Sequence, residues 1–282
     1  MAVPDTLMPD RIVVGVNGNE KAKTLMEELY RPITRVGKPL LFMDRESAEI
    51  VKYASNSYLA TRISFINMLT EFIEKNGGNI RHVAEGMGLD HRIGPKFLHA
   101  GIGYGGSCFP KDVKAFLATA KEKGLSFPIL EATDAVNRHQ RERFFAQILV
   151  ALPSRGTVCL WGLSFKPRTD DMREAPSLDL IPLLLKEGFT VAAHDPAAME
   201  NTRMLFPSGI RFATSPLDAA KDADAVVLLT EWDIFRGVDL NDVKSAMRGK
   251  DLFDGRNIYE PKDVEAAGLV YHGIGIHSSS HS

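Results

Sequence analysis

The pattern of apolar and polar positions divides the chain into three stretches. Residues 11–15 form a short apolar, β-branched run. Ala22, Leu25, Met26 and Leu29 recur at spacings of three and four over 20–30, and residues 39–43 are apolar again. Strand, helix and strand are the elements these periods predict. A long helix is predicted over 47–75, with Ile50, Val51, Ala54, Tyr58, Leu59 and Ile63 at helical spacing and Gly77 and Gly78 as its stop. A second helix over 80–87 ends at Gly88, residues 90–96 read as a loop, and a third helix over 113–124 places Val113, Phe116 and Leu117 on one side. Residues 127–152 carry Leu130, Val136, Phe144, Phe145, Ile148 and Leu149, apolar enough for a spine between domains. After Gly156 the pattern alternates. Strands are expected at 157–161, 190–194, 210–213, 225–230 and 251–254, with helices at 177–187, 197–206, 218–221 and 241–248. That alternation predicts an α/β fold class with a C-terminal doubly wound parallel sheet behind a central all-helical domain.

A lone strand–helix–strand unit needs further parallel strands to cover it. Residues 1–44 therefore read as the remnant of a larger α/β domain, 45–153 as the central helical domain and 154–276 as the C-terminal domain. Residues 277–282, a Ser/His run, read as a disordered tail. With its sheet edges unpaired, the leading segment is expected to be disordered or to pair with another chain.

Composition narrows the classes. A chain of 282 residues with 44% hydrophobic and 25% charged residues has the make-up of an ordinary globular protein with room for two domains. A net charge of −2 gives no argument for nucleic acid or an anionic membrane as partner. No apolar run reaches membrane-span length and the N-terminus lacks a signal-peptide core. Two cysteines make no disulfide framework, and a reducing cytoplasm is the simplest setting. The eight histidines show no ligand spacing, so no metal site is expected.

The candidate chemistry gathers at Gly101-Ile-Gly-Tyr-Gly-Gly-Ser-Cys-Phe-Pro-Lys-Asp112. Four glycines surround one cysteine with little side chain, and Pro110 suits the first turn of a helix. Cys108 is thus placed in a bare loop at a helix N-terminus, beside Lys111. A helix dipole and a nearby cation favour thiolate over thiol, and a thiolate is a nucleophile. The bland alternative is a small buried hydrophobe. Gly101, Gly103 and Gly106 also fit G-x-G-x-x-G, but residues 96–100 before them are no convincing strand, so the dinucleotide reading is set aside. Cys159, in an apolar strand-like run, reads as core. Lys52 and Asn56, four apart, share a helix face; by spacing alone both read as solvated.

In a parallel sheet, ligands bind at the carboxyl ends of the strands. Here those ends carry Phe165 and Lys166, His194-Asp-Pro196, Glu231 and Trp232, and Asp254-Gly-Arg256. Lys166 and Arg256 on one crest suit a phosphate or diphosphate, although isolated surface cations are the plain alternative. The first turn, residues 162–166, lacks the glycines of a dinucleotide loop. The sheet is therefore expected to hold the nucleotide part of a substrate, not NAD.

Taken together, several segments resemble the UDP-glucose 6-dehydrogenase family. They are Gly103-Tyr-Gly-Gly-Ser-Cys108-Phe-Pro-Lys-Asp112, Lys52-Tyr-Ala-Ser-Asn56, the 165–174 stretch through Arg173, Thr230-Glu-Trp-Asp233 and Asp254-Gly-Arg256, in the family's order from about residue 10 onward. The resemblance implies a Rossmann-like C-terminal domain and two NAD-dependent hydride steps that turn a sugar C6 alcohol into a carboxylate. It implies a thiohemiacetal and then a thioester on Cys108. Lys52 and Asn56 would stabilise the oxyanion and Asp112 would orient or deprotonate the water. Phe97, Leu98, His99, Ala100, Gly101, Gly105, Phe109, Phe165, Lys166 and Arg256 would contact the nucleotide sugar, and Lys111 and Arg173 would approach NAD. Arg92 would reach the substrate of a neighbouring subunit in a homodimer built on the 127–152 helix.

The family begins with a complete NAD-binding domain bearing a glycine fingerprint and a catalytic glutamate, neither of which is found here. The expectation is a shortened chain, impaired in NAD turnover, whose substrate is UDP-glucose. GDP-mannose or another nucleotide sugar is the alternative substrate. The rival readings are a non-catalytic module that binds a UDP-sugar or only dimerises and, more remotely, an unrelated cysteine hydrolase.

Overall fold

The computed structural model describes residues 8–152 and 155–276. The chain separates into two compact units, one up to Tyr58 and one from Leu59 onward. In the first, β1 (Ile12–Gly15) and β2 (Leu40–Met43) pair in parallel, Ile12 opposite Leu40, and α1 (Glu20–Thr34) connects them. Asn19 caps α1, its side chain accepting from the Ala22 N–H at 3.0 Å. The helix runs four residues beyond the expected end, through Pro32. That proline stands in the last turn and removes the backbone donor that would reach the Glu28 carbonyl. Ile12 is buried, whereas Leu25, Leu29 and Leu41 are exposed. The strand–helix–strand unit forms as its periodicity predicts; residues 1–7 lie outside the described residues, as do Pro153, Ser154 and the tail from 277.

The helix α2 (Arg45–Lys75) is 31 residues long and closes at Gly77, whose φ is +67°. In the second unit its buried positions are Ala60, Ser64, Ile66, Asn67, Thr70 and Ile73, a stripe at helical spacing that includes polar side chains. Helix α3 (Ile80–Gly88) is capped by Asn79, and α4 (Phe109–Glu122) and α5 (Pro128–Ala151) follow.

The second unit ends in a six-stranded sheet, parallel throughout, in the order β5-β4-β3-β6-β7-β8. Its strands are β3 (Thr157–Trp161), β4 (Thr190–His194), β5 (Ile210–Phe212), β6 (Ala225–Leu228), β7 (Asp251–Asp254) and β8 (Val270–His272). The connecting helices are α6 (Pro176–Lys186), α7 (Met199–Leu205), α8 (Pro216–Ala220), α9 (Asp233–Arg236), α10 (Leu240–Ala246) and α11 (Pro261–Ala266). The doubly wound sheet is as expected, but with one strand more. β8, α9 and α11 span three, four and six residues, too short to leave a periodicity, and went unread.

Alternation along each strand divides the interior in two. Val158 and Leu160 of β3 and Ala225 and Val227 of β6 enter one core; Cys159, Trp161, Val226 and Leu228 enter the other. Both faces are covered, which is what an all-parallel sheet requires. The apolar end of α5, with Phe144, Phe145 and Ile148, joins the first core, together with Ile102 from the glycine-rich loop. The 127–152 helix is therefore not only a spine: it is the element on which the cysteine loop and the sheet share a core.

Candidate active site

Strand order reverses between β3 and β6, so the crevice at their carboxyl ends is the topological switch point. Asp195, fully buried after β4, organises this crest. Its carboxylate accepts from the Leu163, Ser164, Ala197 and Ala198 N–H groups at 2.7–3.2 Å and from the Trp232 indole at 3.2 Å. Asp254, at the end of β7, accepts from the Tyr259 N–H at 2.9 Å and the Tyr271 hydroxyl at 3.2 Å, and burial pushes its carboxyl up from the usual range. Both aspartates rigidify loops that face the crevice.

Opposite the crest runs the glycine-rich loop. Cys108 is the N-cap residue of α4, with Pro110 in the first turn, and its side chain is exposed. The glycines have a reason that sequence reading missed. Gly103 and Gly106 have φ of +105° and +86°. A Cβ on Gly103 would lie 2.6 Å from Asn137 Oδ1, and one on Gly106 would lie 2.5 Å from the Phe165 ring. Close packing of the loop on its neighbours, as much as ligand approach, demands glycine here.

Helix α5 supplies that packing. Asn137 accepts from the Tyr104 N–H at 2.9 Å and donates to the Tyr104 carbonyl at 3.1 Å, and Gln140 donates to the Gly101 carbonyl at 3.0 Å. Arg141 donates to the carbonyls of Tyr104 at 2.6 Å and Glu174 at 2.8 Å and pairs with Asp179. On the other side, Asn67 of α2 accepts from the Gly101 N–H at 2.9 Å. None of these side chains was singled out from sequence. The available signal was polar residues at 137, 140 and 141 on the stripe that Phe144, Phe145 and Ile148 continue.

Between loop and crest lies a cavity of about 680 Å³. Of the expected substrate contacts, Phe97, His99, Ala100, Gly101, Gly105, Phe109, Phe165, Lys166 and Arg256 line it, together with the candidate nucleophile Cys108. Glu231, expected at the sheet's crest, lines it too; Asn67, Tyr104, Arg236 and Asn257 also line it and were not expected as contacts. Phe97 and Asn257 hold φ of +62° and +52° on its wall, a conformation that costs a non-glycine residue of order 1–3 kcal/mol. Phe109 packs edge-on against Phe97 and Tyr104, ring centres 6.1 and 6.0 Å apart. The Lys166 ammonium lies 5.2 Å from the centre of the Phe165 ring. Arg256 does more than face a ligand. Its guanidinium donates to the carbonyls of Leu229 at 2.8 Å, Gly103 at 3.0 Å and Phe165 at 3.3 Å, and lies 3.3 Å from Glu231 Oε2. It ties the loop to the crest, and burial lowers its pKa from the ordinary value.

The remaining expected residues lie elsewhere. Leu98 is buried and lines a smaller cavity of about 400 Å³ that shares His99, Ala100, Arg256 and Asn257 with the first. Asp112, fully buried in the first turn of α4, has the Lys111 ammonium 3.4 Å away and donates its N–H to the Cys108 carbonyl at 2.9 Å. Arg173 pairs with Asp171 at 2.8 Å; its pKa is raised first by that hydrogen bond and, to a lesser extent, by the Cys108 sulfur. Arg92 is held by Asp90 at 2.6 Å on an exposed turn. Lys52 and Asn56 belong to the first unit, where they line a depression with Asp10, Arg11 and Ser55, the Lys52 ammonium 5.4 Å from the Tyr53 ring centre. Cys159 is buried between strands as expected, and burial pushes its thiol pKa up.

Fold and site together define a doubly wound α/β domain of the nucleotide-binding type whose switch-point crest faces a cysteine at a helix N-terminus. Residues 46–139 match the central domain, and residues 159–261 the UDP binding domain, of the UDP-glucose/GDP-mannose dehydrogenase family. The chain belongs to that family. It is 44% identical to a UDP-glucose 6-dehydrogenase of Rhizobium meliloti over 97% of this chain and 63% of that one. To a UDP-glucose 6-dehydrogenase of Pseudomonas aeruginosa it is 43% identical over 99% of this chain and 63% of that one. The structure of a UDP-glucose dehydrogenase from Pyrobaculum islandicum superposes with a TM-score of 0.86 at 35% identity, covering 98% of this chain and 61% of that one. The chain thus spans about 63% of the length of these curated relatives.

Proposed function

We propose that this site serves the NAD-dependent two-step oxidation of UDP-glucose to UDP-glucuronate through covalent intermediates on Cys108, a reaction impaired in residues 1–282 by themselves. One observation carries the proposal: an exposed cysteine at the N-terminus of α4 stands on the wall of a cavity whose other wall is the switch-point crest with Lys166 and Arg256. A nucleotide-linked sugar seated on that crest extends toward the sulfur.

Bound NAD would supply the hydride acceptor that each oxidation needs. Among the described residues no strand-to-helix turn carries a three-glycine cradle for its diphosphate. The chemistry assigned to this chain is its own. The Cys108 sulfur adds to the C6 aldehyde carbon, giving a thiohemiacetal, and Lys52 and Asn56 stabilise the oxygen anion that forms. At the thioester stage Asp112 draws a proton from water, the water oxygen bonds to C6, the C–S bond breaks, and carboxylate and free Cys108 result. Phe97 to Gly101, Gly105, Phe109, Phe165, Lys166 and Arg256 hold the nucleotide sugar. Lys111 and Arg173, exposed cations next to the cysteine, meet an anionic cofactor, and Arg92 reaches the site of a second copy in a homodimer built on α5. The working division is a central helical domain over 45–153 and a UDP-sugar domain over 154–276, in a reducing cytoplasm.

The second reading is that residues 1–282 by themselves bind the nucleotide sugar without turnover. Titration calorimetry with UDP-glucose and absorbance at the NADH band test both. Residues 1–282 are expected to bind UDP-glucose without reducing added NAD and, when supplied with the C6-aldehyde form of UDP-glucose, to give a mass adduct that Cys108→Ala abolishes. No UDP-glucose affinity, or an adduct that survives Cys108→Ala, would contradict the proposal. Steady NADH production would reject binding without turnover.

A further inference from the structure

Asn67 is 1% exposed, on the face of α2 that the glycine-rich loop covers, and it lines the 680 Å³ cavity. Its carbonyl oxygen accepts from the Gly101 N–H at 2.9 Å, which fixes the orientation of the amide. Gln140 on α5 takes the Gly101 carbonyl at 3.0 Å, so both polar groups of this backbone unit are held by side chains from two helices. The Asn67 Nδ2 group is left over. It is buried and donates to no acceptor among the described residues. A buried NH₂ has two protons to place, and native interiors rarely leave such a group unsatisfied.

We infer that Asn67 is a ligand-binding residue: its carbonyl anchors the loop at Gly101 while its amide NH₂ donates to an oxygen of the nucleoside-diphosphate sugar in the cavity. The inference rests on the functional reading above and adds a contact to it. An oxygen acceptor of a bound sugar hydroxyl, carbonyl or diphosphate satisfies the donor. The amide is held in place before the ligand arrives, so little ordering cost is incurred on binding. The residue also couples occupancy to the cysteine loop, because the same side chain touches both.

Asn67→Asp separates the two roles. Aspartate keeps an oxygen for the Gly101 N–H and replaces the cavity-facing donor with an acceptor. UDP-glucose affinity, by calorimetry on residues 1–282, is expected to fall at least tenfold while the melting temperature of the free protein changes little. In the wild-type protein the Asn67 side-chain amide resonances, assigned by their loss in Asn67→Ser, are expected to shift when UDP-glucose saturates the site. This second measurement stands even if the aspartate variant does not fold, and it distinguishes a direct contact from repulsion by the new charge. Wild-type binding with unshifted Asn67 amide signals, or an aspartate variant that binds within twofold of wild type, overturns the contact alone. Absence of UDP-glucose binding by the wild type overturns the functional reading beneath it as well.

Discussion

Gly106 shows how closely the cysteine loop is fitted. With φ of +86° and the Phe165 ring 2.5 Å from where a Cβ would stand, alanine there must strain the backbone and displace an aromatic wall of the cavity. Gly106→Ala is expected to lower unfolding stability by about 1–3 kcal/mol in urea titrations; an unchanged midpoint would show that the loop relaxes freely. The placement of the cysteine was readable, because a lone cysteine among glycines before a proline is a local pattern. Nine of the expected substrate contacts, and Cys108 itself, line the cavity. The polar supports were not readable. Asn67, Asn137, Gln140 and Arg141 act through carbonyls and N–H groups far along the chain, and a sequence names no partner for a backbone atom. Arg256 was read as a cation facing a ligand, with a plain surface cation as the alternative; its bonds to three backbone carbonyls were not legible.

At the scale of elements, the helices of ten or more residues and the four- and five-residue strands followed their periodicity. The short pieces of the sheet's far edge did not, since β8 and α11 owe their conformation to the strand and core they cover. One junction carries a pH prediction. Asp224, just before β6, accepts from the Thr157 N–H at the start of β3 at 2.7 Å and from the Arg248 guanidinium. The Arg248 hydrogen bond, first among the causes, holds its carboxyl below the ordinary range. A carboxylate with a depressed folded-state pKa stabilises the fold above its unfolded pKa, near 3.9, and that contribution is lost as pH falls through the folded value. Asp224→Asn is expected to cost about 1–2 kcal/mol at pH 7, on the scale of hydrogen bonds to a charged group, and to lose less further stability than wild type between pH 5 and pH 2. Urea midpoints across that range check it; parallel curves for the two proteins would refute the linkage.

On the scale of the molecule, the glycine-rich loop, the end of α5 and the sheet share one core in the second unit, and the cavity forms where that core meets the switch point. Among the described residues no helix is long and apolar enough to cross a membrane. The fold class was legible because an alternating strand and helix pattern admits few packings. The cavity was not, because it is a product of how the loop is hung between two helices and the crest. The central claim is that a nucleotide sugar and the Cys108 sulfur share this cavity. Alkylation by iodoacetamide, followed by peptide mass spectrometry, tests it directly, since Cys159 is buried and Cys108 is exposed. Saturating UDP-glucose should slow modification of Cys108 at least tenfold, whereas free glucose should not. An alkylation rate at Cys108 that is the same with and without bound UDP-glucose would contradict the account.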